Sequence, residues 1–142
     1  MRARAGGVLV QNDKVLLMHR IKEKDGVINE YYVIPGGGVE ENETIDDTIK
    51  REVKEEIGID VEVIDKESRY VFSDDSGIQY YKMVKMIGGK IGTGEGPEFS
   101  NPNNGKYIPE MIRINDIIDG KINMVPQEIK EQFIQDFNNK KN

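Results

Sequence analysis

Ile45, Ile49, Val53 and Ile57 recur at every fourth position, and that spacing commits one segment of the chain to an amphipathic helix. Thr44 is placed to cap its start, with Asp47 three residues on in the capping-box position. Gly58 suits the left-handed residue that closes a helix. The segments before it read as strands: residues 5–10 and 14–20 are apolar runs joined at Asn12-Asp13, a good turn pair. Residues 21–30 are polar, contain Gly26 and read as a loop, and residues 31–34 as a short strand that stops at Pro35. Gly36-Gly37-Gly38 follows, where the backbone can take shapes closed to other residues.

Beyond the helix, strands are expected at residues 60–64, 69–72 and 79–87. Residues 88–105, rich in Gly, Asn and Pro, form a long loop of the kind that often serves function. A last strand is expected at 107–114 and a helical turn at 115–119. A terminal helix then opens near Pro126 and carries Ile129, Phe133, Ile134 and Phe137 on one face. One helix between strands and one after them make a mixed α/β domain spanning residues 1–142.

At 142 residues such a domain can bury a core without a disulfide or structural metal. The chain has no cysteine, which removes thiolate metal sites and a cysteine nucleophile and agrees with a reducing, cytoplasmic setting. A net charge of −6 opposes broad nucleic-acid binding, and no apolar run has the length of a membrane span. An anionic substrate would therefore need a local cation, from a basic residue or a metal.

The helix itself carries the chemistry. Glu52 and Glu56 lie one turn apart at the edge of the apolar stripe, with Glu55 beside Glu52. Arg51 can pair with Glu55 and with Asp47, whereas Glu52 and Glu56 find no basic residue three or four positions away and are expected to be unpaired within the helix. Carboxylates so placed call for an outside cation, and Mg²⁺ is the natural one. The plain alternative is a solvated acidic face, which is what Asp46, Lys50 and Lys54 resemble.

Residues 37–59 run Gly37, five residues, Glu43, seven residues, then Arg51-Glu52-Val53-Lys54-Glu55-Glu56-Ile57-Gly58-Ile59. This resembles the Nudix box, G-x5-E-x7-R-E-U-x-E-E-x-G-U with U apolar, at every defined position. The resemblance implies an α/β/α sandwich with a mixed β-sheet. It also implies hydrolysis of a nucleoside diphosphate linked to another moiety with Mg²⁺ or Mn²⁺, the expected substrate being a small nucleotide such as a nucleoside triphosphate. Carried across by position, Glu52 and Glu56 would be the principal metal ligands, with Glu55 a further ligand or the base and Glu52 the other candidate base. The Gly37 carbonyl would be an additional ligand, and Arg51 and Glu43 would support the site by ion pairing. A distant loop acid often completes such sites, with Glu98 first, Glu95 next and Glu110 third. Arg20, and by weaker analogy Asn123, would contact the nucleotide. Relatives are often homodimers, and some are non-catalytic nucleotide sensors, which is the rival reading.

The lone His19 is expected to be structural. Tyr31, Tyr32, Tyr70, Tyr80 and Tyr81 can stack on a base, but half-buried packing is the expectation for strand tyrosines.

Overall fold

A computed structural model describes residues 2–95 and 105–140. Among the described residues, eight strands and three helices follow one another: β1 Ala3–Gln11, β2 Lys14–Lys24, β3 Val27–Val33, β4 Gly36–Gly38, α1 Ile45–Ile57, β5 Ile59–Val63, β6 Tyr70–Asp74, β7 Gly77–Gly89, β8 Lys106–Arg113, α2 Ile114–Ile118 and α3 Gln127–Lys140. The sheet runs β3-β2-β1-β7-β5, with β4 against β1, β6 against β7 and β8 against β2. β1 and β7 pair in parallel while the other named strand pairs are antiparallel, so the sheet is mixed.

Alternation along the strands divides the core in two. On one face Ala5, Leu9, Leu16 and Met18 pack with Ile49, Val53 and Ile57 of α1. On the other, Val8, Val15 and Leu17 pack with Ile114 and Ile117 of α2 and Ile129 and Phe133 of α3. Helices therefore cover both faces. Gly7 lets α1 settle onto β1, since a Cβ there would lie 3.0 Å from Ile49 Cγ2. No helix among the described residues is long and apolar enough to cross a membrane.

α1 has the expected ends. Thr44 accepts from the Asp47 N–H, Asp47 accepts from the Thr44 N–H, and Gly58 closes the helix at φ 90° while donating to the Lys54 carbonyl. The segment expected as a loop at 21–30 is instead a hairpin: β2 continues to Lys24, β3 begins at Val27, and Asp25 and Gly26 turn with φ of 53° and 79°. Residues 22–30 are exposed, so the hairpin arm lacks the alternation of a half-buried strand. The Asp-Gly pair was its signature. The glycine run is likewise a strand, β4, and β7 extends through Gly88 and Gly89.

An Asp46–Lys82 pair ties α1 to the sheet. Lys82 on β7 is only 8% exposed, and its ammonium donates to Asp46 Oδ1 at 2.9 Å and to the Lys66 carbonyl at 3.0 Å. Asp46, expected to be an ordinary surface position, is thus part of this link. Across the other face, Tyr70 on β6 donates to Asp136 of α3 at 2.7 Å, and Arg69 bridges Asp65 and Asp136. Burial and the neighbouring carboxylates push the Tyr70 phenol well above its usual range.

Candidate active site

The glycine strand sets the site. β4 lies antiparallel to β1, pairing Arg4 with Gly38, Ala5 with Gly37 and Gly6 with Gly36. This brings its backbone against the side of α1 that carries the acids. A Cβ on Gly37 would stand 2.3 Å from Glu52 Cδ, so the Glu52 carboxylate rests on bare backbone. One turn on, Glu56 Oε2 accepts the Gly36 N–H at 2.9 Å.

Arg51 organises the acids. Its Nε donates to Glu43 Oε2 at 2.7 Å, Nη2 to Glu43 Oε1 and the Gly38 carbonyl at 3.0 Å each, and Nη1 to Glu52 Oε1 at 2.8 Å and Glu55 Oε2 at 3.4 Å. Glu43 also accepts from the Glu40 N–H and the Thr48 hydroxyl. The Arg51 guanidinium, followed by the Glu40 amide, holds the Glu43 carboxyl down to about 2. Arg51 is correspondingly raised, its hydrogen bond to Glu43 being the largest cause.

This corrects the expectation that Glu52 and Glu56 stand unpaired. Arg51 is adjacent in sequence to Glu52, a spacing at which helix side chains do not ordinarily face one another. Because the guanidinium curls toward β4 to reach Gly38 and Glu43, it meets Glu52 on the way. Asp47, offered as a partner for Arg51, spends an oxygen on the helix cap instead.

Among the described residues, no three His, Asp or Glu side chains are arranged so that they alone could hold a metal ion. What the structure brings together is Glu52 on Gly37, Glu56 on Gly36, and Glu55 beside Arg51. All of these donors are hard oxygens. A cation here would be held by few protein atoms and would complete its shell with water and phosphate, the habit of Mg²⁺. The residues present fit that ion.

The loop acids separate. Glu98 lies outside the described residues. Glu95 is exposed and follows Gly94, whose position is so close to the end of α1 that a Cβ there would lie 2.3 Å from the Glu56 carbonyl. Glu110, on β8, accepts from His19 Nδ1 at 2.9 Å. His19 is buried, bonds Glu30 through Nε2 at 2.5 Å and stacks on Tyr32 at 4.2 Å, so it ties β2, β3 and β8 together.

Two cavities are lined by the ladder partners Arg4 of β1 and Gln79 of β7. One, of about 250 Å³, is bounded by Arg2, Arg4, Gly38 and residues 76–79. The other, of about 300 Å³, includes Arg4, Arg20, Tyr31, Gln79 and Pro126. Arg20 is therefore a lining residue, its guanidinium 3.5 Å above the Tyr107 ring. Asn123 does not line either cavity; its amide donates to the Glu30 carbonyl at 3.0 Å. Tyr70 and Tyr81 are buried in the core as expected for strand tyrosines, and Tyr81 also lines the second cavity with Tyr31. Arg4 and Gln79 were not singled out from the sequence. The only signal for them was a basic residue at the start of a strand whose alternate positions are apolar.

A model of the NUDIX domain matches residues 1–101. The chain belongs to the Nudix family. Among its curated relatives, the nucleoside triphosphatase NudI of Escherichia fergusonii is 37% identical over 73 residues, 51% of each chain. NudI of Escherichia coli K12 is 34% identical over the same length and shares. The chain thus spans about half the length of the curated relatives it matches. Among solved structures, a Nudix hydrolase from Clostridium perfringens superposes with a TM-score of 0.66 at 18% identity, covering 96% of both chains. An ADP-ribose pyrophosphatase from Streptococcus suis superposes at 0.60 and 19% identity, covering 96% of this chain and 91% of the other. At these identities the likeness concerns the Nudix fold, an α/β arrangement with a mixed sheet.

Proposed function

We propose that this Nudix protein hydrolyses a phosphoanhydride bond in a nucleoside triphosphate or another nucleoside-diphosphate-linked substrate, with Mg²⁺ or Mn²⁺. The observation that carries the reading is the seating of Glu52 on Gly37 while Glu56 takes the Gly36 N–H. Two acids are thereby held against a strand that has no side chains to keep a phosphate away. The NudI relatives, named nucleoside triphosphatases, point to the same substrate class.

In this reading Glu52, Glu56 and the Gly37 carbonyl hold the cation, with Glu95, next to the Gly94 that packs on the end of α1, as the candidate loop acid. The cation would neutralise phosphate charge and polarise the phosphoryl group. Glu55 is 36% exposed against 14% for Glu52, so it is the carboxylate that meets incoming water. Water attacks phosphorus, the bond to the leaving phosphate oxygen breaks, and Glu55 takes up the proton that the water loses. Arg51 and Glu43 hold α1 to residues 38–43 and keep the acids in place. The match to residues 1–101, together with the packing of β8, α2 and α3 on the same sheet, supports reading the whole chain as one Nudix domain.

The test is product analysis over nucleoside triphosphates, nucleotide sugars and dinucleoside polyphosphates with Mg²⁺ or Mn²⁺. Metal-dependent turnover of at least one class is expected. The sensor reading has one observation in its favour: the Arg51 guanidinium already bridges Glu52 and Glu55, so a basic side chain serves two of the acids. Tight nucleotide binding with no product across the panel would establish that reading instead.

A further inference from the structure

The buried residues of α1 are Thr48, Ile49, Val53 and Ile57. Three are apolar, and Thr48, at 0% exposure, is the exception. Threonine forms helix less readily than alanine because its branched Cβ loses rotamer freedom. A buried hydroxyl is also unfavourable unless it is bonded. What offsets both handicaps is a hydrogen bond. The Thr48 hydroxyl has one hydrogen and two acceptors in reach, Glu43 Oε1 at 2.9 Å and the Thr44 carbonyl at 3.1 Å. The carboxylate is nearer and charged, so it is the stronger partner.

That bond completes a closed network. Glu43 Oε1 accepts from the Glu40 N–H, the Thr48 hydroxyl and Arg51 Nη2, while Oε2 accepts from Arg51 Nε. These donors fill the roughly four lone-pair sites of a carboxylate, which leaves Glu43 no freedom to turn. Thr48 also joins Arg51 and the Glu40 amide in holding the Glu43 carboxyl low. Arg51 is filled in its turn. Its N–H donors meet both oxygens of Glu43, the Gly38 carbonyl, Glu52 Oε1 and Glu55 Oε2. A guanidinium is planar and rigid, so Nη1 keeps its place against the acids only while Nε and Nη2 keep theirs on Glu43.

We propose that Thr48 is a positioning residue for the cation site: its hydroxyl fixes Glu43, and Glu43 restrains the Arg51 fork from closing on Glu52 and Glu55. Arg51 and a cation compete for the same carboxylate oxygens. With Glu43 fixed, the fork reaches Glu52 and Glu55 through Nη1 alone, at 2.8 and 3.4 Å. With Glu43 free to turn, the guanidinium can swing onto these acids with two nitrogens, the stronger bidentate arrangement, and shut the metal out. Thr48 itself touches neither cation nor substrate. The inference rests on the hydrolase reading for its catalytic meaning.

The test compares the parent chain with Thr48→Val, which keeps the shape and removes the hydroxyl, and Thr48→Ser, which keeps the hydroxyl. Mn²⁺ is titrated into each by calorimetry, and kcat and KM are measured on the triphosphate that the parent turns over best. Thr48→Val should bind Mn²⁺ about tenfold more weakly, the lower end of what partners of metal ligands cost when lost. Its kcat should fall with little change in KM, and Thr48→Ser should stay close to the parent. A purely structural role would move the Tm and leave Mn²⁺ affinity alone. A metal-free readout is the Arg51 Nε–H resonance, which should exchange slowly with solvent in the parent and Thr48→Ser and fast in Thr48→Val. Parent-like Mn²⁺ affinity in Thr48→Val, equal losses in both variants, or equal protection of the Nε–H in all three would each overturn the proposal. Should Thr48→Val not fold, Thr48→Ala replaces it in every measurement. If the parent binds no Mn²⁺ and hydrolyses no triphosphate, the hydrolase reading falls, and the Nε–H resonance still decides whether Thr48 holds the fork.

Discussion

The carboxylate of Glu52 and the Cα of Gly37 are in contact, leaving no room for even a methyl group between them. The Gly37→Ala variant must therefore move Glu52 or bend β4. Displacing a catalytic group by about 1 Å can cost about a hundredfold in rate. We expect kcat/KM to fall about that far while circular dichroism shows the helix and sheet retained. Wild-type rates in Gly37→Ala would remove Glu52 from the chemistry.

Metal affinity separates a ligand from a bystander. Glu52→Gln and Glu56→Gln should each reduce turnover by about a hundredfold or more and weaken Mn²⁺ binding in calorimetry. Chelation should abolish the activity, and added Mg²⁺ should restore it. If both variants bind Mn²⁺ like the parent chain, the proposed ligand set is wrong.

The Arg51–Glu43 pair makes a pH prediction. The Glu43 carboxyl titrates near 4.5 when unpaired and at about 2 here. A folded-state value below the unfolded one stabilises the protein above the unfolded value, and the gain is lost as pH falls from about 4.5 to about 2. Glu43→Gln should cost about 1 kcal/mol at neutral pH, screened as it is by partial exposure. The difference in Tm between the two proteins should shrink across that acid window. A constant difference from neutral pH down to about pH 2 would argue against the pair as its source.

Lys82 tests the attachment of α1. Asp46→Asn leaves a nearly buried ammonium with the Lys66 carbonyl as its remaining acceptor among the bonds described above, and should cost about 1–3 kcal/mol. Lys82→Met removes the charge, keeps the bulk and should cost less. Thermal melts of the two variants beside the parent chain check the order; variant melts identical to the parent's would show that the pair contributes nothing.

The helix with its caps was legible because its signals are local: a four-residue apolar spacing, Thr44 with Asp47, and Gly58. The acidic constellation was legible for the same reason. The hairpin arm was not, since its strands project beyond the core and carry no alternating pattern. Nor were the partners of Glu52 and Glu56. They depend on where β4 lies against α1, and three consecutive glycines announce freedom without saying which strand they will join. Lys82 looked like any strand lysine until β7 brought it beneath Asp46. Arg4 and Gln79 acquire meaning only as ladder partners, which neither segment encodes alone.

That last relationship bears on how the protein matures. Arg4 emerges from the ribosome long before Gln79, and the two meet only when β1 and β7 close the contact between distant parts of the chain. Contacts between segments so far apart in sequence are the slow ones to form. A nascent chain that has completed α1 would already display its acids while lacking β7, the strand that pairs with β1 in the middle of the sheet. Catalytic competence should then appear in one step with the central sheet, and never in an N-terminal fragment that ends before β7.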